Sequence, residues 1–149
     1  MGCDIHSYAE RETPDGYELI DGLAPFDWRD YGMYGFLAGV RNHSAVTPIA
    51  APRGLPFDLS LGMCAENDYW NTDGHDHSWL SVAELAAFDY DQPMEDCHVT
   101  QRGIIGLHTC APGDGKKTTF REFLGKAYFS AISKLQEAGA ARVVFWFDN

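Results

Sequence analysis

The sequence predicts an α+β fold: a small mixed or antiparallel sheet, a long C-terminal helix, and shorter helices packed mainly on one face, in a single domain over 1–149. Three observations predict it. Both ends of the chain, residues 3–10 (CDIHSYAE) and 141–147 (ARVVFWF), carry strand patterns. Between 120 and 135, apolar residues recur at helical spacing. A chain of 149 residues with a 45% hydrophobic share suffices for one core of this kind.

The first strand alternates, so Asp4, His6 and Tyr8 share one face and Cys3, Ile5 and Ser7 the other. Thr13-Pro14-Asp15-Gly16 reads as a turn into a second strand, 17–20. Asp30 can cap a helix from Tyr31 to about Arg41, in which Gly35 and Gly39 predict close packing. Residues 42–73 are expected to be irregular, because Pro48, Pro52, Gly54 and Pro56 oppose a long regular element. Ser81 and Glu84 form a capping box flanked by the staple pair Leu80 and Leu85, which predicts a helix over 82–88. A second box, Thr119 to Glu122, opens a helix to about Ala138, with Gly139 past its end. Its stripe is Phe120, Phe123, Leu124, Ala127, Tyr128, Ala131, Ile132 and Leu135. The run 141–147 reads as a central strand buried on both faces.

Lysine and arginine number 11 against 22 acidic residues, a net charge of −11. That balance disfavours general duplex nucleic-acid binding but permits a small anionic ligand in a local pocket. Residues 54–101 hold ten acids and no cation, a stretch that must be solvated, spread out or neutralised by metal. No apolar run approaches the ~20 residues of a membrane span, and the opening lacks the pattern of a signal peptide. Cys3, Cys64, Cys97 and Cys110 contain no C-x-x-C pair, which fits reduced thiols better than a zinc ribbon; Cys3 is the best placed to join a metal.

Candidate chemistry gathers at three places. Asp4 and His6, two apart on a strand, can bind one metal or orient one another; as a bare D-x-H they are more often a hydrogen-bonded pair. The segment 73–79 (DGHDHSW) concentrates acids and imidazoles, and an extended H-x-H sets His75 and His77 on one side, where neutral nitrogens suit zinc or manganese. Its bland reading is a solvated acidic loop. Arg41-Asn42 and Arg53, the latter between stiffening prolines, could hold phosphate or carboxylate, or an internal acid. Residues 111–118 (APGDGKKT) fail as a phosphate loop, having Cys110 where the first glycine is needed, and Gly103–Gly106 lacks a dinucleotide fingerprint.

The opening MGCDIH, residues 37–42 (LAGVRN), 53–56 (RGLP), 73–80 and 143–149 together resemble a family of small proteins seen in tailed bacteriophages and prophages. The resemblance implies a phage source and a cytoplasmic protein made in an infected bacterium. It carries no catalytic assignment, and residues 101–118 fall outside it.

These blocks suggest one composite site. Asp4, His6, His75 and His77 would ligate a divalent transition metal, zinc or manganese, with Asp148 as a further ligand or base. Asp73 and Asp76 would be catalytic, and Arg41, Asn42, Arg53 and Trp79 would hold an anionic substrate. The expected function is metal-assisted hydrolysis of a phosphodiester or small nucleotide, in the service of phage counter-defence. The alternatives are a non-catalytic accessory that sequesters a nucleotide or blocks a host protein, and a metal that only staples the fold.

Overall fold

The computed structural model describes residues 2–99 and 108–149, so Gly103–Gly106 lies outside it. In chain order its elements are β1 (Asp4–Thr13), β2 (Gly16–Leu19), α1 (Tyr31–Ala38), α2 (Leu61–Trp70), a 3-10 turn (Asn71–Asp73), β3 (His75–Ser81), α3 (Val82–Ala87), β4 (Pro93–Asp96), β5 (His98–Val99), β6 (His108–Thr109), β7 (Lys116–Thr119), α4 (Phe120–Glu137) and β8 (Arg142–Asp148). The fold is α+β, with a long C-terminal helix. No helix among the described residues is long and apolar enough to cross a membrane.

The chain divides into two compact units, each assembled from separate stretches. The first comprises Met1–Arg29, Pro52–Phe88 and Tyr128–Asn149; the second comprises Asp30–Ala51 and Asp89–Ala127.

The first unit is built on a four-stranded sheet in the order β2-β1-β8-β3, each neighbouring pair antiparallel. The apolar run of β8 is central, as expected, and Val143 to Phe147 are fully buried. β1 alternates as its sequence predicts: Ile5, Ser7 and Ala9 are buried on one face, with His6 and Tyr8 half-buried on the other. On the His6 face, Met63 of α2 packs with Val144 and Trp146, joined by Tyr8, Leu19, Trp70 and Trp79. On the opposite face, the Phe26 amide donates to Ser7 Oγ (2.9 Å), and the Phe26 ring stacks on Tyr128, 5.6 Å between centroids.

The second unit holds α1, two short hairpin-like pairs (β4 with β7, β5 with β6) and the first turns of α4. Asp30 caps α1 by accepting from the Met33 amide, but the helix ends at Ala38 rather than near Arg41. Gly39 takes the left-handed conformation there (φ 72°), which glycine adopts without the Cβ penalty and which ends the helix.

Three further expectations are corrected. Residues 42–73 are not irregular throughout: Leu61–Trp70 is a helix, with Ser60 Oγ accepting from the Met63 amide (3.3 Å). The prolines lie upstream of that helix and oppose nothing within it. Residues 75–81 are an edge strand rather than a loop. α4 is interrupted at Gly125 (φ 79°, ψ 176°), which shifts the helical phase and leaves Ala127, expected in the apolar stripe, exposed. The Ser81–Glu84 capping box is present in full and opens α3. At Thr119 only half of the box forms: its hydroxyl accepts from the Glu122 amide (3.3 Å), while the Glu122 carboxylate accepts from Thr118 Oγ1 (2.9 Å).

Candidate functional site

The site worth considering is one end of the His6 face in the first unit. β1 and β8 pair Asp4 with Asp148 and His6 with Trp146, so all four side chains belong to that face. The Trp70 ring, at the end of α2, lies on the His6 imidazole at 3.8 Å between centroids. Tyr8 stacks on Trp146 (5.1 Å) from one side, and His77 lies against it (5.4 Å) from the other. Trp146 is thus flanked by β1 and β3 residues, and two imidazoles share its face.

A backbone irregularity decides which histidine joins. In β3, His75 opposes Phe147 and Ser78 opposes Phe145, so three steps on β3 match two on β8. That is a β-bulge, and Asp76 within it takes a left-handed φ of 51°. The extra residue reverses the alternation. His77 faces Trp146, while His75 turns to the opposite face, its ring 6.2 Å from that of Phe147. The expectation that H-x-H presents both imidazoles on one side is therefore corrected: that rule assumes regular pairing.

The electrostatics of this end are unusual. Nε2 of His6 and Nε1 of Trp146 are buried and have no hydrogen-bond partner among the described residues. Asp148 Oδ1 stands 3.4 Å from His6 Nε2, beyond the about 2.7–2.9 Å of a charge-assisted hydrogen bond. Burial, with the His75 imidazole second, holds the His77 pKa below the ordinary histidine value. The Tyr8 hydroxyl donates to Glu66 Oε2 (3.2 Å), and burial, with the Glu66 carboxylate behind it, pushes the phenol up to about 12. Gly74 lets the chain pass close: a Cβ there would sit 3.0 Å from Trp146 Cδ1 and 3.2 Å from His77 Nε2.

Other expected members of the site are engaged elsewhere. Asp4 accepts from Nε and Nη2 of Arg29, both at 2.9 Å, and so serves a surface ion pair. His75 Nδ1 meets Asp76 Oδ2 at 2.7 Å, and its Nε2 lies 3.4 Å from Asn149 Oδ1. Asp73 is exposed in the 3-10 turn. The set Asp4, His6, His75 and His77 does not converge: among the described residues, the one group of three such side chains with ligand atoms all within 4.8 Å of one another is Glu95, Cys97 and Cys110, in the second unit.

The cations expected to grip substrate also have structural work. Arg53 binds both oxygens of Glu84 (2.7 and 3.0 Å) and the Trp79 carbonyl (3.1 Å), and its guanidinium lies over the Trp79 ring at 4.8 Å. Bonds from Arg53 and Ser81 overcome the opposing effect of burial and lower the Glu84 pKa. Asn42 is a loop staple of the second unit, donating to Val46 O (2.8 Å) and accepting from Val46 N (3.0 Å). Arg41, with φ 49°, sits over the Tyr31 ring at 5.9 Å.

Sequence reasoning missed Trp146 as a member of this face. Trp146 lies inside the predicted central strand, whose pattern reads as core on both faces. Trp70 ends a helix that the proline-rich context concealed. An imidazole nitrogen and a carboxylate oxygen 3.4 Å apart have the spacing of two ligands on one tetrahedral ion, whose edge is about 3.3–3.6 Å for bonds of about 2.0–2.2 Å. Comparison with protein-family models, with curated proteins and with solved structures finds no match for this chain.

Proposed function

We propose that the first unit is a metal-assisted hydrolase of a phosphodiester or small nucleotide, worked at the His6 end of its sheet. The observation that carries this reading is the pair of buried, unpartnered polar atoms, His6 Nε2 and Trp146 Nε1, on one face. Buried polar groups without partners are uncommon and costly, so their presence side by side favours a ligand as the missing partner. His6 and Asp148 would hold a divalent ion. Such an ion would supply Lewis acidity and an activated water. His77, neutral to lower pH than an ordinary histidine, is suited to accept a proton, and the Trp146 indole N–H to donate to an oxygen. The Trp70 ring offers a wall for a base. The resemblance to phage proteins supports a host nucleotide as substrate and counter-defence as the purpose.

The test uses bis(4-nitrophenyl) phosphate and a panel of cyclic nucleotides with zinc or manganese. Metal-dependent turnover is expected, reduced at least ~100-fold in His6→Ala and in Asp148→Asn with the fold intact. Turnover that survives both substitutions, or its absence with every ester and either metal, ends this reading.

A second reading, an accessory that blocks a host protein, is favoured by the large apolar side chains of Phe57, Leu61 and Tyr69, which stand exposed on the 52–88 stretch.

A further inference from the structure

The second unit contains a different arrangement of ligating groups. In the β4–β7 pair, Glu95 lies opposite Lys117 and Asp96 opposite Lys116. Strand alternation sends Glu95 and Cys97 to one side, while Asp96, His98 and Lys116 line a cleft on the other. Cys97 is brought to Cys110 by the neighbouring pair β5–β6: the Cys110 amide donates to the Cys97 carbonyl (2.8 Å), and the Cys97 amide to Ser44 O (2.9 Å). Cys97 Sγ donates to Glu95 Oε1 at 2.9 Å, the same oxygen that accepts from the amides of Gly113 (2.8 Å) and Gly115 (3.3 Å). Lys117 Nζ holds Glu95 Oε2. Gly115 permits this approach, since a Cβ there would lie 2.7 Å from both the Asp96 carbonyl oxygen and Glu95 Cγ.

We infer that Glu95, Cys97 and Cys110 form a binding site for one thiophilic divalent cation, zinc being the best fit. Their ligand atoms all lie within 4.8 Å of one another. Two sulfurs and one carboxylate oxygen make three of the four positions of a tetrahedral ion and leave one to water; sulfur ligands select against magnesium and calcium. The charges close: two thiolates and a carboxylate carry three negative charges, balanced by the dication and the Lys117 ammonium.

Binding replaces protons. Each thiol gives its proton to solvent, and the cation takes the place of the proton now lying between Cys97 Sγ and Glu95 Oε1. Their 2.9 Å separation must then open to about 3.5 Å, the S···O edge of a tetrahedral zinc. Both thiols must lose their protons to ligate, so uptake is expected to weaken as pH falls. Cys97 is buried and Cys110 half-buried, which leaves the site reachable from the Cys110 side. Cys3 and Cys64 belong to the first unit and take no part.

The experiment titrates cobalt(II) into the full-length reduced chain, made without a histidine tag. One equivalent should produce tetrahedral visible bands and a thiolate-to-cobalt charge-transfer band, both removed by zinc. Cys97→Ser and Cys110→Ser should each weaken or remove that band; far-ultraviolet circular dichroism checks that each still folds. Cys64→Ser should keep it. The doubly substituted His6→Ala, Asp148→Asn chain should also keep it, because the site proposed above has no sulfur. A reduced wild-type chain that gives no charge-transfer band overturns the inference, as does a band that survives removal of both Cys97 and Cys110.

Discussion

Two polar clusters occupy the same face of the first unit's sheet, one at each end of β8, and they are resolved in opposite ways. At the start of the strand, Arg142 and Glu10 pair directly across β8 and β1. The guanidinium binds Glu10 Oε1 (2.6 Å), Asp58 Oδ1 (2.7 Å) and the Asp58 carbonyl (3.2 Å), and covers the Tyr17 ring at 3.5 Å. The second Glu10 oxygen accepts from the Ser60 amide (2.9 Å). Glu10 and Arg142 are 0% and 4% exposed, and their charged groups are fully engaged. At the far end, the buried nitrogens His6 Nε2 and Trp146 Nε1 have no hydrogen-bond partner among the described residues, the Asp148 carboxylate standing 3.4 Å from His6 Nε2. The contrast is between polar groups whose hydrogen-bond partners are complete and polar groups whose partners are not. Charge and burial alone do not distinguish them; completeness of partners does.

The largest effect expected from breaking this comparison is at the saturated end. Glu10→Ala removes the buried partner of Arg142 Nε and of the Ser60 amide, leaving Asp58 as the remaining acid, and should cost about 3–5 kcal/mol, read as a lower midpoint in urea denaturation. Asp148→Asn at the other end should leave the unfolding free energy within about 1 kcal/mol of wild type. Gly74→Ala sharpens the contrast from the backbone side. The added methyl crowds Trp146 and His77, so a loss of about 1–3 kcal/mol is expected together with weaker ligand binding. Ser81→Ala removes the cap of α3 and should cost about 1 kcal/mol. Arg29→Ala, which frees Asp4 at an exposed pair, should change stability by no more than about 1 kcal/mol, and less in high salt.

A pH series adds a signed prediction. Burial depresses the His77 pKa in the folded state, so the unfolded chain binds the proton more readily. The stability that His77 contributes is complete above an ordinary histidine pKa of about 6.5 and is lost as pH falls from there through the lower folded value. His77→Gln should flatten the part of the stability profile that lies below about pH 6.5.

Much of the fold was legible because local patterns and tertiary packing agree. The run 141–147 has no polar residue between Arg142 and Asp148, so only a central strand buries it on both faces. The Ser81 box, the Asp30 cap and the 13–16 turn each use short-range chemistry that needs no distant partner. α2 was illegible for the opposite reason: only Met63 of its ten residues is buried, so its stripe is weak. The break at Gly125 leaves no mark in the apolar spacing of 120–135. Part of the geometry of the candidate face was legible in the same sense. Asp4 and His6 do share a face, and Asp148 does join them, because register across an antiparallel pair follows from alternation. The bulge at Asp76 was not legible, since an extra residue in an edge strand has no period of its own, and that single irregularity parts His75 from His77. Ion pairs such as Arg53–Glu84 and Arg29–Asp4 link residues far apart in sequence, and no spacing rule announces them.

The proposed function requires His6 and Trp146 to be partners of a ligand rather than idle core. Nitrogen-edited NMR reads both atoms directly, the imidazole Nε2 of His6 and the indole N–H of Trp146, assigned with His6→Gln and Trp146→Phe. Zinc should move the His6 resonance, and a cyclic dinucleotide added afterwards should move the indole, with both responses lost in Asp148→Asn. Resonances that stay fixed through millimolar metal and nucleotide would contradict it.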